Sequence, residues 1–113
     1  MSYNIKYFHN MPEEILDVSS QVEYQKDSIV SKEILKGPTG TVTVFAFDKG
    51  QGLSEHTAPF DALIQVIDGT AEIKIATEKH IVNQGQMLIA PAGKAHELKA
   101  NERFKMMLIM LKA

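Results

Sequence analysis

Beyond Asp27 the chain is cut at short intervals by residues that turn a backbone. The cuts are Gly37-Pro38-Thr39-Gly40, Lys49-Gly50-Gln51-Gly52, Asp68-Gly69, Gln84-Gly85 and Pro91-Ala92-Gly93-Lys94. Turn signals roughly every 8 to 12 residues leave little room for helix and point to a β-sandwich or barrel of short strands. The intervening pieces agree. Residues 41–48 (TVTVFAFD) are rich in β-branched and aromatic side chains. Within 70–77, Ala71, Ile73 and Ile75 share one parity while Glu72 and Lys74 share the other, the mark of a strand with one buried face. The Asp68-Gly69 pair predicts a hairpin joining 60–67 to 70–77. Further strands are expected at 79–83, 87–90, 96–100 and 103–112, with a mixed stretch at 28–36.

The two ends of the chain read differently. Asn10-Met11-Pro12-Glu13-Glu14 has the form of a helix start, with proline in the first turn and acids at its positive end, and one or two turns should follow. The run FKMMLIML at 104–111 is apolar on both faces. A barrel strand needs only its inward face apolar, so the outward face should meet the N-terminal segment or a second subunit. No linker or low-complexity stretch divides the chain. One domain over 1–113 is expected, with segment 1–27 packed on the barrel or at a homodimer interface.

Composition narrows the function classes. The 113 residues carry a formal net charge of -2, with Lys and Arg scattered, so no nucleic-acid partner is expected. No apolar run approaches the ~20 residues of a membrane span. The chain contains no cysteine, which removes disulfides, thiolate ligands and cysteine nucleophiles. No charged-then-apolar leader opens the sequence, so the expected compartment is the cytoplasm. There is no G-x-S-x-G elbow, and Gly50-Gln51-Gly52 lacks the lysine a phosphate loop requires.

What remains is a pair of histidines, each framed by glycines. Gly50 precedes His56 by six positions and Gly69 closes that stretch; Gly85, Pro91 and Gly93 precede His96. In this spacing the chain resembles the small single-domain cupins, over roughly residues 41–111. The family's two motifs are G-x5-H-x-H followed by E and G, and G-x5-P-x-G-x2-H-x3-N. The resemblance implies an all-β, double-stranded β-helix of the RmlC-like, jelly-roll kind, with a short irregular or helical N-terminal segment. It also implies metal ligands at positions 56, 58, 62 and 96, where this chain has His56, Ala58, Ala62 and His96. Ala100 stands at the place of the motif's asparagine.

Two ligands survive and two are methyl groups. The implied cofactor, a divalent zinc, nickel, manganese or iron ion, would need a further donor beside His56 and His96. Asp61 lies one position before the family's glutamate and Gln65 three beyond it. Alternation puts 61, 63, 65 and 67 opposite 62, 64 and 66, so Gln65 should point away and Asp61 could turn inward only through a bulge. His80 shares the parity of Val82, which does not fix its face.

The expected function is binding of a small molecule inside the barrel, near a degenerate two-histidine metal site. Ala58, Ala62, Ile64 and Leu98 would line that pocket, with Val66, Ile73 and Ile75 as neighbours. Two alternatives accompany it. One is an enzyme: a metal-dependent oxygenase or isomerase, or a metal-free relative of the sugar epimerases in which His56, Asp61 and His96 are the catalytic candidates. The other is a structural or regulatory module whose imidazoles hydrogen-bond each other or water. The methionines Met106, Met107 and Met110 read as core rather than as soft-metal ligands.

Overall fold

The computed structural model describes residues 13–112. Nine strands dominate them: β1 (Ile29–Gly37), β2 (Gly40–Phe47), β3 (Gly52–His56), β4 (Asp61–Asp68), β5 (Thr70–Ile75), β6 (Glu78–Asn83), β7 (Met87–Ala90), β8 (His96–Lys99) and β9 (Phe104–Leu111). All pairings are antiparallel. They form a five-stranded sheet ordered β1-β2-β9-β4-β7 and a four-stranded sheet ordered β3-β8-β5-β6. This is the expected double-stranded β-helix, with the two sheets facing each other.

One local expectation fails. Asp68-Gly69 is not a hairpin, because β4 belongs to the five-stranded sheet and β5 to the four-stranded one. The dipeptide is a corner at which the chain changes sheets. Gly69 has φ 75, and a Cβ there would lie 2.6 Å from the Arg103 carbonyl oxygen. The corner therefore selects glycine twice, for its conformation and for close backbone approach. The tight hairpins lie elsewhere, at Pro38-Thr39 between β1 and β2 and at Ala76-Thr77 between β5 and β6. Ala76 takes the left-handed conformation there, at φ 53.

Alternation sets the core. Ala62, Ile64 and Val66 of β4, Ala71 and Ile73 of β5, Val82 of β6, Leu98 of β8, and Phe104 and Met106 of β9 are buried between the sheets. Phe47 stacks on Phe104 at 4.7 Å between ring centroids, and Phe45 on Phe47 at 5.8 Å. These aromatics close one end of the interior.

The outward face of β9 has two fates. At one end Met107 packs in a cluster with Val22, Val44 and Ala46, so residues ahead of β1 cover the sheet. Buried Lys105 donates to the Ser19 carbonyl at 2.6 Å, and the Tyr24 hydroxyl donates to Asp68 at 2.6 Å. Burial, and then the Asp68 carboxylate, raise the Tyr24 pKa well above the ordinary phenol value. At the other end Ile109 and Leu111 line an open groove with Leu63 and Ile89.

Residues 1–12, which hold His9 and the beginning of the expected helix, lie outside the described residues. Residues 13–17 are not helical, and the short 3-10 turn Val18–Ser20 stands in place of the expected turns. No helix among the described residues is long and apolar enough to cross a membrane.

Candidate functional site

His56 and His96 are cross-strand partners, at the end of β3 and the start of β8. They are neighbours in one sheet, with ring centroids 4.2 Å apart and ring planes at 64°.

A bulge makes this possible. Leu53 pairs with Leu98 and His56 with His96, so Ser54 and Glu55 stand opposite the single residue Glu97. Strict alternation would send Leu53 and His56 to opposite faces. The extra residue turns His56 back to the side of Leu53, Leu98 and His96. Two further bonds assemble the mouth. The Gly93 N–H donates to the Ala58 carbonyl at 2.9 Å, tying the Pro91–Lys94 turn to the loop after His56. The Ala76 N–H donates to the Ala95 carbonyl at 2.7 Å, fixing the approach to β8.

Both rings spend the same nitrogen on the backbone. His56 Nδ1 lies 2.8 Å from the Ser54 carbonyl and His96 Nδ1 3.3 Å from the Lys94 carbonyl. A carbonyl can only accept, so each Nδ1 carries the proton and a neutral ring keeps its Nε2 lone pair free. His56 is exposed and His96 half-buried. Burial first, and then the adjacent His56, lower the His96 pKa below the ordinary imidazole value, while the Lys94 carbonyl opposes the shift. His96 is therefore neutral at neutral pH.

Behind the rings lies a cavity of about 60 Å³. Its walls include the four anticipated residues, Ala58, Ala62, Ile64 and Leu98. Val66 and Ile73 are instead fully buried core. Leu53, Met106, Leu108 and Met110 also line the cavity and were not anticipated. The signal for the β9 residues was present in the sequence, since 104, 106, 108 and 110 share one parity. A strand apolar on both faces conceals which parity points inward.

The other candidates go elsewhere. Asp61 is exposed, accepts the Ala92 N–H at 2.9 Å and lines the outer groove rather than the cavity. The proposed His56–Asp61 acid–base pair thus has no geometric support. Gln65 pairs with Met107 and Met87, on the parity opposite to Ala62 and Ile64. His80 lines a separate cleft with Thr77, Glu78 and Lys94, its Nε2 3.7 Å from Glu78.

The family's divalent-metal site can be tested on these residues. Ala58 and Ala62 supply no donor atom, and among the described residues no group of three His, Cys, Asp or Glu side chains converges. Zinc and similar ions take three or four protein ligands. The residues present do not fit that site.

The match to a family is direct. Residues 43–111 match the model of the cupin domain. A conserved protein of unknown function from Streptococcus pyogenes superposes with a TM-score of 0.88 at 34% identity, covering 98% of each chain. A cupin 2 conserved barrel domain protein from Leptotrichia buccalis gives 0.83 at 38% identity, over 86% of this chain and 47% of that one. A cupin superfamily protein from Desulfitobacterium hafniense gives 0.85 at 26% identity, over 90% of this chain and 94% of that one. No curated protein matches the chain. With its two-sheet barrel, its paired histidines and these matches, the chain belongs to the cupin family.

Proposed function

We propose that this cupin binds a small ligand at the His56–His96 pair, with the cavity behind the rings receiving its apolar part. The observation that carries this reading is the convergence of two imidazoles, each with Nδ1 held by a backbone carbonyl, on a cavity otherwise lined by apolar side chains. A few polar groups on an apolar concavity is the general chemistry of small-molecule sites. The Nε2 atoms would accept hydrogen bonds from the ligand.

Volume restricts the ligand. One water occupies ~10 to 15 Å³ of such volume, so about 60 Å³ holds a ligand of a few non-hydrogen atoms or the end of a longer one. A whole sugar ring is too large for the cavity as it stands. The test is thermal-shift and NMR screening of fragments up to about ten non-hydrogen atoms. Hits should perturb the His56 and His96 ring signals and vanish in His56→Ala. Hits indifferent to that substitution, or no hits, would overturn the reading.

The outer groove favours a homodimer as the working form. Met87, Ile89 and Leu111 are 60%, 61% and 60% exposed on the same outer face, beside a groove of about 400 Å³. Self-association would withdraw that apolar surface from water. Light scattering should report twice the chain mass, falling to one in Ile89→Lys/Leu111→Lys; a wild-type monomer at tens of micromolar would remove the proposal.

A further inference from the structure

We propose that residues 13–18 are an exchanged arm: in a homodimer, the segment Glu13-Glu14-Ile15-Leu16-Asp17-Val18 of each copy seats its apolar side chains in the outer groove of the other. The proposal rests on the reading of that groove as a homodimer interface, and it names the segment that fills it.

Arm and groove are two apolar surfaces of one chain that do not meet. Every residue from 13 to 18 is exposed; Ile15 is wholly so, and Leu16 and Val18 are 48% and 36% exposed. The chain is tied to the barrel from Ser19 onward, where the Ser19 carbonyl takes the Lys105 ammonium and Val22 buries against Val44 and Ala46. On the barrel, Leu63, Ile89, Ile109 and Leu111 line a groove of about 400 Å³ that none of the described residues fills. A smaller hollow of about 170 Å³ shares Ile109 and Leu111 with it and continues toward Leu35 and Val42. Leaving both surfaces in water is unfavourable, and joining them across two copies withdraws both at once.

Placement and charge point to a second copy as the partner. Within one chain Ile15 stays exposed while the groove stays open, so the arm does not seat itself at home. The arm's anchor on Lys105 and the groove at Ile109 and Leu111 lie along the same outward row of β9. Two copies facing each other through that row, related by a two-fold axis, bring each arm over the other's groove in one reciprocal contact. The arm's two large aliphatics are flanked by Glu13, Glu14 and Asp17. The receiving surface carries the opposite sign: Lys36 lines the smaller hollow, and Lys36 and Lys112 line the cleft next to it. Asp61, the one acid of the groove lining, already accepts the Ala92 N–H. Such complementarity fixes the direction in which the arm lies, and the aliphatic contact supplies the affinity.

The test uses the full-length chain in sedimentation velocity. Ile15→Asp/Leu16→Asp should weaken dimerisation by roughly tenfold or more. The barrel should stay folded, because both side chains are exposed in their own chain. Lys36→Glu/Lys112→Glu should weaken the dimer as well, and Glu13→Lys/Glu14→Lys in the same chain should restore part of the loss. Contact between copies can be read directly. The chain has no cysteine, so a nitroxide attached through Glu14→Cys marks the arm alone. Mixed with isotope-labelled wild-type chains, it should broaden their Leu63 and Ile89 amide signals. A wild-type dimer that Ile15→Asp/Leu16→Asp leaves equally tight, or broadening confined to the tagged chain's own groove, overturns the exchanged arm and leaves the groove homodimer standing. A wild-type monomer at tens of micromolar overturns both.

Discussion

The two ends of the barrel interior are made by the same strands and differ in what those strands carry. Along the inward face of β9 the series is Phe104, Met106, Leu108, Met110, and along β4 it is Val66, Ile64, Ala62. At one end Phe47 and Phe104 stack and are fully buried. At the other the series ends in an alanine and a methionine, and a cavity opens beneath two imidazoles. A site arises here by withdrawing side-chain volume from one end of a β-barrel, and the filled end supplies the stability that lets the open end remain open.

Three substitutions test this contrast. Phe104→Ala should have the largest effect, a loss of about 3 to 5 kcal/mol in urea unfolding, because it removes a fully buried ring from a stacked pair. A loss below about 1 kcal/mol would mean that the aromatic end does not hold the fold. Ala62→Val should act in the opposite sense. Its two added methyl-sized groups enter the cavity, so stability should rise by up to ~1 kcal/mol while fragment binding is lost. A destabilisation of the ordinary overpacking size, about 1 to 3 kcal/mol, would show that the open end is as tightly filled as the closed one.

The smallest effect concerns pH. His96 has a depressed pKa in the folded protein, so between the unfolded value near 6.5 and the folded value the unfolded chain binds more protons. Its contribution to stability is thus intact above about pH 6.5 and declines as pH falls below it. Urea midpoints measured from pH 7.5 to 5.5 should fall with acidification in the wild type and less steeply in His96→Gln. Equal slopes would place the acid sensitivity elsewhere.

The fold was legible because its turn residues and alternating strands are local signals. The Asp68-Gly69 corner was not, since a turn dipeptide reports that the chain bends and not which strand the next one will join. The bulge that sets His56 beside His96 was hidden for a related reason, since Ser54-Glu55 carries no mark of one. The alanines and aliphatics around the site were readable from parity. Met106 and Met110 were hidden because β9 is apolar on both faces, one against the core and the other against residues 22–24 and the open groove.

The bulge gives the site a spare residue. Alternation on a strand is a two-state parity, and between Leu53 and His56 the extra residue already offsets it. Removing Ser54 or Glu55 would leave a regular ladder in which the first imidazole stands two positions from Leu53, on the same face and still opposite His96. A one-codon deletion here should therefore keep the two rings together, whereas moving the histidine itself by one position along that regular ladder would send it to bulk water.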